Sequence, residues 1–501
     1  MGRHLYTIIL SLLMLCGFTG NVTGRGTDIT EAGQTAGTAK TGQTVNSVEA
    51  GQAAGTAEAG RTAGIAKTGR TMNIAEAGQT AEAVDALETV GEGQVADAVD
   101  AVERDAADTV EQDAESGEGE GIVFSLLTCT PGTDAYAHFG HTALLMEDSV
   151  RDVNAVFNYG CFDATQKHFL FNFVAGNTNY MLEAESLDFF LWRYGVTGNG
   201  VTKQRLALTD AECRQLIVLL RENLKKENQT YLYNWLYDNC TQRARDIIEA
   251  AICGEVVYRE PSEAVTVREM LHAKLENAPW LQFGIDIILG EEIDREVDGR
   301  AMMFMPDFYQ AELEDARVQE NDSTSRSLVA ATTVLLEPTE VSMEKASPLN
   351  PMVVFGIIVV LTLCISAYDM RRRRCLLWVD VLMLSLQGIT GCVVAYLFFF
   401  SKHPAVGSNW MVVVLNPLFL IYGIVLGVGR NLTRGNWIRG AECVNLTVLA
   451  AFIIIMMCVR QWFNPAVYLM VSALLIRSCV RLMTAGRGCE TCSPEKTNEK
   501  N

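Results

Sequence analysis

The sequence predicts an α+β domain joined to an all-α transmembrane domain of five helices. Three observations carry this. Residues 121–317 open with short segments rich in β-branched and aromatic side chains and continue with capped helical patterns. Residues 351–483 hold five apolar runs long enough to cross a bilayer. Residues 1–24 place Arg3 ahead of an apolar run that ends in small residues, the shape of a secretory signal peptide. A single soluble globule is therefore excluded. With 40 Lys+Arg against 60 Asp+Glu in 501 residues, electrostatic nucleic-acid binding is also disfavoured.

Residues 25–120 read as an acidic, disordered spacer. From 27 to 120 there are 19 acidic and 5 basic side chains, and neither an aromatic residue nor a cysteine. Residues 31–84 divide into six nine-residue units such as EAGQTAGTA and KTGQTVNSV. A β-solenoid of that period needs a bulky inward residue per turn. These units lack one, so chain entropy outweighs burial.

Within residues 121–317, segments 122–127, 142–146 and 156–162 read as strands. Thr209 and Glu212 form a capping box that opens a helix reaching about residue 223. A second helix starts at Asn239 or Cys240 and runs to residue 252. It turns Ala244, Ile247, Ile248 and Ala251 inward and Arg243, Arg245, Asp246 and Glu249 outward. Residues 318–350 read as a polar linker.

The expected spans are 352–368, 376–400, 411–429, 443–459 and 467–482. Arg371 to Arg374, then Arg430, Arg434 and Arg439, then Arg481 and Arg487 follow alternate spans. The positive-inside rule places that side, and the tail 484–501, in the cytoplasm. Everything before residue 352 then lies outside it. Asp380 and Arg477 fall near span ends, where snorkelling makes them interfacial anchors. Cys489 and Cys492 form a lone pair without a second half and imply no metal site.

The chemistry centres on Cys240, in Tyr237-Asp238-Asn239-Cys240-Thr241. In the first turn of a helix a thiol meets the positive end of the macrodipole, which favours the thiolate. On position alone, an inert core cysteine is the more ordinary reading. His141 changes the balance, because it sits where a glycine turn feeds a strand, as a general base for that thiol. Asn158 on the next strand can orient the imidazole. His138 and His141 lack any further ligand to complete a metal site, so neither metal nor cofactor is expected. Cys129, Cys161, Cys213, Cys240 and Cys253 are odd in number, so an oxidising compartment leaves at least one unpaired. A Cys240–Cys253 bridge would remove the nucleophile.

Phe124-Ser-Leu-Leu-Thr-Cys-Thr-Pro-Gly132, Phe139-Gly-His-Thr-Ala143, Val156-Phe-Asn-Tyr-Gly160 and Tyr237-Asp-Asn-Cys240 follow one another as in the Lnb family. Asp294-Arg295 and Met303-Phe-Met-Pro306 continue the pattern. The chain thus resembles the lipoprotein N-acyltransferases of Bacteroidota, with a periplasmic N-terminal domain and a C-terminal domain in the inner membrane. The His-before-Cys order is similar to permuted papain-like (NlpC/LRAT-like) thiol domains. The resemblance implies a phospholipid acyl donor, a thioester on Cys240, His141 as base, and a diacylated lipoprotein as acceptor. In the membrane part, Ser401-Lys402-His403 stands where the family tends to show a Thr-Asp-His-like triplet, so Lys402 departs from it. A membrane-anchored cysteine peptidase or amidase acting on cell-wall peptides uses the same dyad and is the alternative. A non-catalytic scaffold displaying the spacer is the third reading.

Overall fold

The computed structural model describes residues 121–484 apart from 133–136, 163–167, 260–263, 322–323, 340–347, 373–374 and 429–435. The signal peptide, the repeat spacer and the Cys489/Cys492 pair lie outside the described residues.

The first domain is built on strands β1 (Ile122–Cys129), β2 (His141–Asp148) and β3 (Val153–Cys161), followed by helix α1 (Phe169–Ala175), β4 (Asn179–Ser186) and α2 (Leu187–Val196). Then come β5 (Val201–Leu206), α3 (Asp210–Leu224), β6 (Thr230–Leu232), α4 (Cys240–Ala251) and β7 (Glu255–Val257). Helices α5 (Val267–Lys274), α6 (Pro279–Ile288) and α7 (Pro306–Asp315) precede β8 (Arg317–Asn321), β9 (Thr324–Ser327) and β10 (Val329–Leu336). A seven-stranded antiparallel sheet has the order β10-β5-β1-β2-β3-β4-β6. The three strands and two helices expected from the sequence are present, with ends shifted by a few residues.

Alternation splits the sheet into two faces. Phe124, Leu126, Leu144, Met146 and Phe157 pack with α3 and α4, while Leu127, Ala143, Leu145 and Val156 pack under α2. Gly140 makes the turn into β2. Its φ is +76°, and a Cβ there would stand 2.6 Å from the Cys129 carbonyl oxygen, so only glycine fits.

The linker expected over 318–350 is corrected in its first half. β10 joins the main sheet beside β5, and β8 pairs with β7. Its Val-Ala-Ala-Thr-Thr-Val-Leu-Leu run has strand composition, but the partner strand lies more than a hundred residues upstream.

Among the described residues, five helical segments are long and apolar enough to span a membrane: Pro351–Arg372, Leu377–Phe400, Met411–Val428, Trp437–Cys458 and Pro465–Thr484. We label their helices α8 (Pro351–Arg372), α9 (Leu377–Phe400), α10 (Met411–Val414), α11 (Leu418–Val428), α12 (Asn436–Cys458) and α13 (Pro465–Thr484). The third span is broken at Asn416-Pro417, as an interior proline requires, and Gln387 Nε2 donates to the freed Val414 carbonyl at 2.7 Å.

The expectation that Asp380 and Arg477 reach for the interface is overturned. Both are fully buried. Arg477 donates to Asp380 at 2.8 Å and to Asp369 at 2.9 Å, and Arg481 to Asp380 at 2.7 Å and Glu442 at 2.5 Å. Four helices supply these groups, so pairing with neighbouring carboxylates replaces the reach to water.

The two domains dock through backbone and side chain alike. Gly290 N–H donates to the Ala405 carbonyl at 2.7 Å, and Asn409 Nδ2 to that of Ile287 at 2.6 Å. Asn464 Nδ2 meets Asp286 at 2.9 Å, and Asp286 also accepts from Arg268 and His272. A Cβ on Gly290 would lie 2.3 Å from the Ser408 carbonyl carbon. His403, in the departing triplet, is largely buried, with Nε2 2.7 Å from the Phe173 carbonyl. Burial pushes its pKa down to about 4, so near neutral pH it is an uncharged donor to α1.

Candidate active site

The start of α4 is fixed by Asn239. Its Oδ1 accepts from the Thr241 and Gln242 amides at 3.0 Å each, and Gln242 Oε1 accepts from the Asn239 amide at 3.1 Å, completing a capping box. Asn239 Nδ2 donates to the carbonyls of Trp235 at 2.9 Å and Phe304 at 2.8 Å. This one side chain therefore joins the helix to two flanking loops. Cys240 follows as the first helical residue, fully buried, in the core on the α4 side of the sheet. Cys240 and Cys253 are both thiols, so the bridge that would have consumed the nucleophile is not formed.

His141 opens β2 and is 5 % exposed. Its Nε2 lies 3.2 Å from Asn158 Oδ1, Asn158 Nδ2 donates to Glu185 Oε1 at 2.5 Å, and Arg193 pairs with the same Glu185 oxygen. This chain sets the tautomer. An ionised Glu185 only accepts, so Asn158 turns its NH₂ to Glu185 and its carbonyl to the imidazole. Nε2 then carries the proton and Nδ1 the lone pair. Nδ1 is buried and has no hydrogen-bond partner among the described residues. Burial pushes the Glu185 carboxyl above its ordinary range, against the pull of Arg193. For Arg193, burial works toward a lower pKa, but Glu185 overrides it and the guanidinium is held charged.

The structure brings His141 and Asn158 into contact; among the described residues, no hydrogen bond joins His141 to Cys240. The imidazole stacks on Tyr194 of α2, with ring centroids 6.3 Å apart, on the side of Ala143 and Leu145. The next residue, Thr142, turns to the other face, where its hydroxyl lies 3.0 Å from that of Thr241. The residues that follow His141 and Cys240 are thus joined directly, bringing the start of α4 over the start of β2. Cys129, the cross-strand neighbour of His141, and Cys161 are raised well above the usual thiol range by burial, so both stay protonated.

Sequence reasoning missed Glu185, Arg193 and the Thr142–Thr241 pair. Eight residues separate Glu185 from Arg193, and only the turn from β4 into α2 brings them together. The aromatic residues 169–173 and 189–192 lie on α1 and α2, with Phe171 and Trp192 exposed.

Comparison with protein families matches residues 111–273 to the Lnb N-terminal periplasmic domain and residues 343–487 to the Lnb transmembrane domain. Comparison with curated proteins and with solved structures gave no match.

Proposed function

The chain belongs to the Lnb family, and on that premise we propose that it is a thiol-dependent acyltransferase of the inner membrane. It moves a fatty acyl chain from a phospholipid to the N-terminal amine of a diacylated lipoprotein. The observation that carries this reading is the oriented imidazole. Asn158 and Glu185 orient the imidazole and leave its buried Nδ1 without a hydrogen-bond partner among the described residues, and the Thr142–Thr241 contact brings the start of β2 to the start of the helix that holds Cys240. In this reading Nδ1 takes the Cys240 proton through a contact that has to form when substrate binds, as catalytic hydrogen bonds often do only in the substrate complex.

The thiolate then attacks the ester carbonyl. The C–S bond forms, the ester C–O bond breaks, and the lysophospholipid oxygen leaves with the proton held by His141. The lipoprotein amine next attacks the thioester and passes a proton to His141. An amide forms as the C–S bond breaks, and Cys240 is released. The positive end of α4 stabilises both oxyanions. Docking of the periplasmic domain on the membrane helices favours a lipid ester over a soluble substrate.

The test is intact-protein and peptide mass spectrometry of the purified protein in phospholipid nanodiscs. The expected result is one acyl group on Cys240, released by hydroxylamine and passed to an added diacylated lipopeptide. An unmodified Cys240, with cleavage of muropeptides instead, would overturn the proposal in favour of a peptidase.

A further inference from the structure

A cavity of about 500 Å³, including its open mouth, lies beside the start of α4. We propose that it seats the acyl chain of the phospholipid donor, with the ester at the Asn239 end and the chain running toward α6. This rests on the acyl-transfer reading and adds to it the place where the donor is held.

Three observations point to this occupant. First, the cavity adjoins the start of α4 and the turn into β2. Phe139, two residues before His141, and Asn239, one before Cys240, both line it. Asn239 also bonds the carbonyls of Trp235 and Phe304, so the cavity wall and the thiol helix share one node.

Second, the remaining wall is apolar and leads toward the bilayer. Leu271, Ile285, Ile288 and Leu289 line the cavity and belong to the same buried cluster as Val394, Leu397, Val467 and Leu474 of the membrane helices. A hydrocarbon chain moving from lipid to thiol then keeps apolar neighbours throughout.

Third, the wall contains one unused donor. Trp235 is 9 % exposed, and its indole N–H is buried without a hydrogen-bond partner among the described residues. Buried indole N–H groups normally find an acceptor. A lipid ester oxygen held at this wall would supply one.

Two measurements test the seat. Cys240→Ala protein in nanodiscs is photolysed with a phosphatidylethanolamine carrying a diazirine at its chain end. Label is expected on peptides containing Leu271 or Ile285 to Leu289. Label confined to the lipid-facing sides of the membrane helices would overturn the proposal. Wild-type protein is then given a mixture of short-, medium- and long-chain phosphatidylethanolamines, and the acyl group on Cys240 is weighed. Ile288→Phe shifts the profile toward shorter chains by about fourfold per methylene excluded, and Leu271→Ala shifts it toward longer ones. Unchanged profiles in both variants would count against the seat. No acyl group on wild-type Cys240, with label retained in the cavity, would instead count against acyl transfer and support the seat.

Discussion

The start of α4 and the Arg477 cluster are both buried polar assemblies made from residues distant in sequence, yet they are finished differently. In the membrane cluster every charged group has a partner, and Arg477, Arg481, Asp369, Asp380 and Glu442 tie four helices together. Around the thiol helix, His141 Nδ1, the Thr128 hydroxyl and the Trp235 indole N–H are buried with no partner among the described residues. A closed network costs heavily when broken and performs nothing. An open one keeps a lone pair and donors for a substrate to meet.

The contrast can be broken at either end. The largest effect is expected for Cys240→Ala, which removes the nucleophile and leaves a small side chain in its place. Transfer to a diacylated lipopeptide should fall by roughly 10⁴-fold or more with the thermal midpoint little changed. Equal losses of transfer and midpoint would make Cys240 merely a core residue.

In the membrane cluster, Asp380→Ala removes the carboxylate that Arg477 and Arg481 share and leaves each buried guanidinium with one carboxylate partner, Asp369 and Glu442 respectively. The stability loss should be about 3–5 kcal/mol, read as a lower midpoint in detergent, with activity per folded molecule retained. A selective loss of activity with intact stability would mean that this network is not simply a staple.

Glu185→Gln sharpens the comparison from the other side, since it keeps the shape but unlocks the Asn158 amide and the tautomer it sets. We expect turnover to drop about 10²-fold. The pH–rate profile should move with it, which a purely structural role for Glu185 would not produce.

The smallest effect concerns His403. Its folded pKa of about 4 lies below its ordinary 6.5, so the undocked chain binds more protons between those values. Its contribution to docking is complete above about pH 6.5 and is lost as pH falls toward 4. Hydrogen exchange of α1 should rise across that window. His403→Phe should flatten the dependence and cost about 1 kcal/mol for the lost bond to Phe173.

What was legible in the sequence follows the range of the forces involved. The caps at Thr209 and Asn239 act within one helical turn, so the starts of α3 and α4, and with them the place of Cys240, could be read directly. The membrane spans were legible because bilayer thickness is an external ruler. β10 was not, because Val329 pairs with Leu206, and neither carries a mark naming the other. Asp380 and Arg477 stand 97 residues apart, so each looked like a lone charge near a span end. The candidate site was legible only in part. His141, Asn158 and Cys240 could be named, while Glu185 and Arg193, which bias the imidazole, became apparent only once β4 and α2 were folded against each other.

Gly290 carries a consequence for the whole assembly. Main chain meets main chain there, with no side chain between to cushion a change. A single added methyl group would act as a wedge, prising the outer domain off its membrane seat. The seating of one domain on the other is thus set by one missing carbon atom some fifty residues downstream of Cys240.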